Sequence, residues 1–272
     1  MRGNSLPPKG LPSTKESEEI KKALNIGLVK DELAKPLPEK LRLIYLVIEW
    51  HLAEFKPEEC YIGWSGGKDS TLVLFLVRQF ASQIPVLFNN TGVEFPQTVE
   101  FVHRLAEEWK LNFTELHPEM SFWECVERWG FPPPSRYRFG TPKCCYHLKE
   151  KPVIKAIREN GFKASFIGVT AWESWERRIV AGRLGICHHS KVYGVCRIRP
   201  ILYLRPDEVW HLTKEFGIPV NPTYTLAERV GCLPCTGHLG WEEQIARVNP
   251  KLYLLIKRKM GEKQYQLPLM PS

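Results

Sequence analysis

The stretch Tyr61-Ile-Gly-Trp-Ser-Gly-Gly-Lys-Asp-Ser-Thr-Leu-Val-Leu-Phe75 passes from mostly apolar residues through paired glycines into a lysine, an aspartate and two hydroxyls at the mouth of an apolar helix. Gly66 and Gly67 permit positive φ and carry no Cβ, so successive backbone N–H groups can converge on one anion. A helix starting near Asp69 adds its free amides and the positive end of its dipole to the same spot. Lys68 supplies a mobile positive charge, and Ser65, Ser70 and Thr71 supply hydroxyl donors. Asp69 suits an anion site once a Mg²⁺ lies between it and the phosphates, because Mg²⁺ takes one carboxylate together with phosphate oxygens. The plainer alternative is a Ser-Gly-Gly turn with Asp69 favoured only by the dipole. The full combination, placed between a strand and a helix, predicts a phosphate cradle in which Lys68, Asp69 and Ser70 carry the chemistry.

The eight cysteines offer a second chemistry. Cys144-Cys145 and Cys232-Leu-Pro-Cys235 are two close pairs, and a Cys-x-x-Cys turn presents two thiolates to one metal. Adjacent cysteines make a poor zinc pair, since structural zinc sites space their ligands by two to four residues. An iron–sulfur cube is wider and offers several irons, so a 4Fe-4S cluster on Cys144, Cys145, Cys232 and Cys235 is the favoured expectation. Zinc and unliganded thiols are the alternatives. Cys60 and Cys125, set among apolar neighbours, read as buried and unliganded. Cys187 and Cys196 flank His188-His189 and could form a redox pair or carry sulfur, with core residues as the default; the two histidines read as ordinary surface residues.

Positioning these groups calls for alternating strands and helices. Helical spacing over 17–34 and 38–55 predicts an N-terminal helical extension (17–57) behind a flexible Pro/Ser/Lys-rich tail (1–16). Beyond it the pattern gives strands at 60–64, 85–89, 112–117, 164–169 and near 195–202. Helices fall at 69–80, 95–110, near 145–160, 171–182 and 206–216, and the Pro-rich piece 130–142 must be a loop. That order predicts an α/β fold, a doubly wound, mostly parallel five-stranded sheet whose ligands sit beyond the carboxyl ends of the strands. The nucleotide-binding domain with its cysteine site covers 58–240, and a C-terminal helix and tail cover 241–272.

Composition sets the outer limits. With 272 residues, 43% hydrophobic and 25% charged, the chain reads as an ordinary globular enzyme. No apolar run approaches the roughly 20 residues of a membrane span, and the N-terminus carries no secretion signal, so no membrane partner and a cytoplasmic location are expected. In a reducing compartment eight cysteines argue for metal rather than for disulfides. A net charge of +8 would attract polyanions such as nucleotides or nucleic acid, although solvated surface lysine accounts for most such charges. Arg136, Tyr137 and Arg138 in the proline loop combine stacking and charge as a tRNA or DNA contact would, and a lid over a substrate would look the same. A homo-oligomer is compatible with all of this.

Ser65-Gly-Gly-Lys-Asp-Ser70 is not a Walker loop; it resembles the PP-loop of the ATP pyrophosphatase and adenylylsulfate reductase superfamily. Three further stretches resemble that superfamily in consistent order over roughly 58–236. They are Asn89-Asn-Thr-Gly-Val-Glu-Phe-Pro-Gln-Thr98, Gly168-Val-Thr-Ala-Trp-Glu-Ser-Trp-Glu-Arg-Arg178, and Pro200 through Trp210 with Ile218-Pro-Val-Asn-Pro222. The resemblance implies an adenine nucleotide alpha hydrolase-like fold. It also implies a nucleotide held by Ser65, Gly66, Gly67, Lys68, Asp69, Ser70, Asn90, Thr91, Gly92, Gly168, Glu173, Ser174 and Arg178. Thr170 stands where many relatives carry Arg, leaving Arg177 or Arg178 to supply that charge. The Cys-Cys…Cys-x-x-Cys pattern is similar to the iron–sulfur branch of the assimilatory adenylylsulfate reductases.

Three activities then compete. In the first, ATP with Mg²⁺ adenylates an acceptor, pyrophosphate leaves and a sulfur donor inserts sulfur; the complete Lys-Asp-Ser loop favours this reading. In the second, adenylylsulfate or its 3′-phosphorylated form (PAPS) is reduced by a thiol reductant to release sulfite. The cysteine pairs favour that reading, but the familiar reductases use a cysteine nucleophile near the C-terminus, and no cysteine follows Cys235 in this chain. The third, a non-catalytic nucleotide or nucleic-acid binding module, leaves both motifs without a purpose.

Overall fold

The computed structural model describes residues 29–133 and 141–264. The expected flexible tail, the first part of the 17–34 helix, Arg136, Tyr137 and Arg138 lie outside the described residues. Two N-terminal helices, α1 (Val29–Ala34) and α2 (Leu37–Glu54), precede the sheet. The strands are β1 (Cys60–Trp64), β2 (Val86–Asn89), β3 (Phe113–Leu116), β4 (Ala164–Ile167), β5 (Cys187–Ser190) and β6 (Val195–Ile198). Between β1 and β4 come α3 (Lys68–Arg78), α4 (Pro96–Glu108), α5 (Phe122–Trp129) and α6 (Lys151–Asn160). Next are α7 (Trp175–Leu184), α8 (Pro206–Glu215), α9 (Trp241–Val248) and α10 (Pro250–Gln264).

The sheet order is β3-β2-β1-β4-β6-β5, parallel except at the β5/β6 edge. This is the α/β, doubly wound, mostly parallel architecture that the sequence predicts, with six strands instead of five. The additional strand is Cys187-His-His-Ser190, too polar and too short to show an apolar period, and it forms only because the turn at Gly194 folds it back on β6. The last expected strand stops at Ile198, because Arg199 through Leu204 make successive tight turns.

The central strands are buried on both faces, as parallel strands between two helical layers must be: Cys60, Tyr61, Ile62 and Trp64 all lie in the interior. α4 begins with proline at its first position and buries Thr98, Phe101, Val102, Leu105 and Ala106, the i, i+3, i+4, i+7 stripe of an amphipathic helix. α2 shares the main core through Leu43, Ile44, Val47 and Ile48, and a buried Lys40–Glu208 ion pair at 2.9 Å ties it to α8. At the other end, Trp241, Ile245 and Ile256 of α9 and α10 pack on Trp123 and Phe131, which encloses the cysteine region from one side.

β1 is the point where strand order reverses, with β2 on one side and β4 on the other. The loops leaving β1, β2 and β4 therefore open together at the carboxyl edge, the crevice where doubly wound folds place ligands.

Candidate functional site

The loop after β1 turns at Gly66, whose φ is +72°. A Cβ there would come within 2.9 Å of Val102 and 3.3 Å of the Asn221 amide, so glycine is required by both conformation and space. Gly67 caps α3, placing Lys68 and Asp69 in the helix's first turn. The Ser65 amide donates to Ser70 Oγ at 3.2 Å, the two serine hydroxyls lie 3.0 Å apart, and Ser70 Oγ donates to the Gly67 carbonyl at 3.0 Å. Thr71 is a brace rather than a free donor: its hydroxyl donates to the Gly67 carbonyl and accepts from Trp64 Nε1 at 3.0 Å. Lys68 Nζ contacts both Asp69 carboxylate oxygens at 2.8 Å, with both side chains partly open to solvent. The mouth of α3 thus holds a cation and a carboxylate that neutralise each other.

Two other segments fix this loop. Asn221, 2% exposed, donates to the Gly66 carbonyl at 2.9 Å and to Thr98 Oγ1 at 3.2 Å, while its Oδ1 accepts from the Thr223 amide. The Tyr224 hydroxyl accepts the Lys68 backbone N–H at 3.0 Å, covering the first amide of α3. Burial pushes that phenol up to about 12, so it stays neutral. Tyr224 lies edge-on to Trp210, whose ring is 5.9 Å from Lys68 Nζ. From the β4 side, Gly168 presses on α3: a Cβ would sit 2.4 Å from the Ser70 nitrogen and 2.6 Å from the Asp69 carbonyl carbon.

The loop after β2 leads to the cysteines. Asn90 donates to Glu115 at 2.7 Å and accepts the Gly92 amide, holding the turn in which Gly92 adopts φ +75°. Thr91, also buried, donates to Glu94 at 2.8 Å and lies 3.5 Å from Cys232 Sγ. Glu94 and Cys232 form a single antiparallel bridge, extended by the Leu233 amide bonding to the Val93 carbonyl. Cys144, Cys145, Cys232 and Cys235 line one cavity together with Lys149. Cys144 and Cys145 start a helical run that passes through a π-helical turn, Tyr146–Glu150, into α6.

The thiols influence one another electrostatically. Its hydrogen bond with Cys145, burial and the neighbouring sulfurs push the Cys144 thiol far up, and burial pushes Cys232 up to about 11 against the opposing pull of Lys149. The Cys232 thiolate in turn holds Lys149 well above the usual lysine range. A tetrahedral zinc at about 2.3 Å from each sulfur would draw four thiolates to within about 3.8 Å of one another. Among the described residues, the one group of three or more His, Cys or acidic ligand atoms within 4.8 Å of one another lies elsewhere, at His51, Cys187 and Cys196. The four-cysteine set is therefore spread more widely than a single zinc ion requires.

The profile of the phosphoadenosine phosphosulfate reductase domain family matches residues 59–238. The chain belongs to that family. Its relatives include an uncharacterized protein of Methanocaldococcus jannaschii, 30% identical over 197 residues, covering 71% of this chain and 39% of that protein. A second protein of that organism is 26% identical over 242 residues, covering 86% of this chain and 56% of the other. The chain thus spans about half, or less, of the length of these two relatives. The adenosine 5′-phosphosulfate reductase of Staphylococcus haemolyticus is 23% identical, covering 71% of this chain and 76% of that enzyme. Among solved structures, the phosphoadenylyl-sulfate reductase of Candida auris matches with a TM-score of 0.54 at 20% identity, over 82% of this chain and 98% of the other. The FMN adenylyltransferase of Candida glabrata matches with the same score at 13% identity, over 80% and 70% of the two chains. These structural matches show a shared fold.

Elsewhere in the matched region, Glu173 pairs with Arg177 at 3.1 Å and approaches the Thr170 amide, and Ser174 caps α7 by accepting from the Arg177 amide. Arg178 stacks over Trp172 at 4.5 Å. Both arginines that could replace the one absent at Thr170 are thus engaged locally. Burial pushes the Cys60 thiol up to about 12 and raises that of Cys125, as inert interior cysteines require. Cys187 and Cys196 correct the expectation of plain core residues and of a chain without disulfides: they are bonded to each other across β5 and β6. Sequence reading missed Tyr224, Glu94 and Lys149. A lysine at a helical spacing after Cys145 was the one available signal for Lys149, and it is indistinguishable from a solvated residue until the topology places it against Cys232.

Proposed function

We propose that this chain binds ATP and catalyses ATP-dependent sulfur transfer, with a nucleic acid such as tRNA or DNA as acceptor. The observation that carries the reading is the Lys68–Asp69 pair in the first turn of α3, beside the loop that connects to the four thiols. A triphosphate seated there meets the helix amides, the Lys68 ammonium and the hydroxyl of Ser65. An acceptor oxygen attacks the α-phosphorus, the bond from that phosphorus to the oxygen bridging the β-phosphate breaks, and pyrophosphate leaves. Lys68 neutralises the charge gathering on that leaving group. A sulfur donor, a hydrosulfide, then attacks the activated carbon; the carbon–sulfur bond forms, the carbon–oxygen bond breaks, and AMP departs with the acceptor oxygen. Asp69 would hold Mg²⁺, which supplies charge neutralisation at the phosphates. Asn90, Thr91 and Gly92 in the loop after β2, and Gly168, Glu173, Ser174 and Arg178 in the loop after β4 and the start of α7, would border the nucleotide.

Cys144, Cys145, Cys232 and Cys235 fit a 4Fe-4S cluster by donor type and by their four-thiol count around one cavity. Bound there, such a cluster supplies a site for electrons and for sulfide. Lys149 offsets part of the negative charge of the thiolates. We place the protein in the cytoplasm, where the four thiols stay reduced.

A second reading has its own support, the named activity of the Staphylococcus relative together with the thiol cavity: reduction of adenylylsulfate or PAPS by a dithiol, releasing sulfite and the adenosine nucleotide. The two are separated by giving anaerobically purified protein ATP or adenylylsulfate and measuring pyrophosphate and sulfite. Pyrophosphate release that depends on Lys68 supports sulfur transfer; sulfite release without ATP turnover overturns it in favour of reduction.

A further inference from the structure

The disulfide between Cys187 and Cys196 lies apart from everything assigned so far. In the β5/β6 register Cys187 faces Ile198 and His189 faces Cys196, so the two cysteines sit diagonally on the same face of the edge hairpin. Cys196 is also in register with Ala164, which is in register with Cys60. That row crosses the amino ends of β1 and β4, the edge opposite the loops that carry Lys68 and the four cavity thiols.

α2 covers this face and brings in His51, which is 2% exposed. A ring nitrogen of His51 and the two sulfurs lie within 4.8 Å of one another. His51 Nδ1 is 2.7 Å from the Val47 carbonyl one turn earlier, to which Nδ1–H donates. That bond fixes the tautomer and leaves Nε2 with a free lone pair, the arrangement that backbone carbonyls impose on metal-binding histidines. Burial lowers the pKa of the imidazole, which keeps it neutral and able to ligate near pH 7.

We propose that His51, Cys187 and Cys196 form a redox-gated zinc site, closed as a disulfide when oxidised and holding Zn²⁺ through two thiolates and the His51 Nε2 when reduced. A dithiol opens the pair: its thiolate attacks one sulfur, the Cys187–Cys196 bond breaks, and the reductant's second thiol closes the reductant's own disulfide. Two electrons and two protons pass to the protein sulfurs. Zinc then displaces the two thiol protons to water. Two thiolates, a neutral imidazole and Zn²⁺ sum to zero charge, which a largely interior site accommodates without further counter-ions. Cys187 and Cys196 are half-buried, so water can fill the fourth position of the tetrahedron. Oxidation removes both thiolates at once, so the two states exclude each other.

The site is independent of the nucleotide chemistry and is tested without it. The full chain is reduced anaerobically, freed of reductant, and alkylated with iodoacetamide with and without excess zinc chloride. Modification is followed on the peptides that contain Cys187 and Cys196, so the other thiols do not contribute. Zinc should slow alkylation of both cysteines by about tenfold or more, and His51→Gln should abolish most of that protection while still forming the disulfide on oxidation. Equal rates with and without zinc in the wild-type chain, or full protection in His51→Gln, overturn the proposal. If His51→Gln loses its fold, Cys187→Ser replaces it: zinc protection of Cys196 that disappears with its partner supports the site, and protection that persists overturns it.

Discussion

Gly168→Ala puts one methyl group where the loop after β4 meets the first turn of α3. The new carbon would lie 2.4 Å from the Ser70 nitrogen, 2.5 Å from its Cα and 2.6 Å from the Asp69 carbonyl carbon. All three are backbone atoms of a helix whose next turn is fully buried, so no side chain can swing away to relieve the contact. Overpacking of this kind costs about 3 kcal/mol, and here the chain must move either β4's loop or the mouth of α3. That corresponds to about a hundredfold in the unfolding equilibrium. The same movement displaces Lys68 and Asp69, so nucleotide affinity should fall further than the stability of the rest of the sheet suggests. Gly161→Ala is the control: its φ is +67° with no atom within 4 Å of the added carbon, so it should cost only the left-handed penalty of about 1 kcal/mol and leave nucleotide binding alone. Urea unfolding gives the stabilities and calorimetric titration with a non-hydrolysable ATP analogue gives the affinities. A Gly168→Ala protein within about 0.5 kcal/mol of wild type, or one that binds nucleotide normally, would refute the close approach of the two segments.

Asn221→Ala leaves the Gly66 carbonyl and the Thr223 amide without their buried partner and should destabilise the protein by about 3 kcal/mol, read by the same urea titration; a loss below 1 kcal/mol would show that the segment is not locked to the loop. Asp69→Asn should abolish the stimulation of nucleotide binding by Mg²⁺ while sparing most Mg²⁺-free binding, and unchanged Mg²⁺ dependence would reduce Asp69 to a helix-start residue. Anaerobic protein should be brown with about four irons per chain, Cys232→Ser should bleach it, and Cys60→Ser should not; one zinc and no iron by metal analysis would remove the cluster from the mechanism.

What could be read in the sequence follows from what is local. The Ser65–Ser70 loop and the four cavity cysteines are short runs whose meaning lies in adjacent residue types, and the strands β1, β2 and β4 announce themselves as apolar runs because both their faces are covered. β5 escaped because an edge strand of Cys-His-His-Ser has no buried face to impose a period. The His51–Cys187–Cys196 group escaped for a different reason: its members belong to a helix of the N-terminal extension and to the last hairpin of the sheet, and only the packing of α2 across the strand starts brings them together. Thr71 shows the converse error. Its hydroxyl looked like a phosphate donor by position in the motif, but the helix turns it inward to Trp64 and Gly67, where it is already satisfied.

The residues between Asn221 and Cys235 link the loop after β1 to the cavity lined by the four thiols. Asn221 holds the carbonyl of Gly66, Tyr224 covers the Lys68 amide, and Cys232 and Leu233 pair with the loop that follows β2. A single stretch of chain therefore braces the loop after β1 at its start and supplies two of the four thiols at its end. Under the proposed function an incoming phosphate would compete with the Tyr224 hydroxyl for the first amide of α3, since both are acceptors for the same N–H. Tyr224 lies edge-on to Trp210 and belongs to the same short connection as Cys232. Glu94, facing the Cys232 thiol, anchors the far end of that connection to β2, and the Asn221 bonds to Gly66 and Thr98 anchor the near end to β1 and α4. The connection that carries Tyr224 is held at both ends, so under the proposed function a shift of Tyr224 on nucleotide binding would act on the segment that carries Cys232 and Cys235.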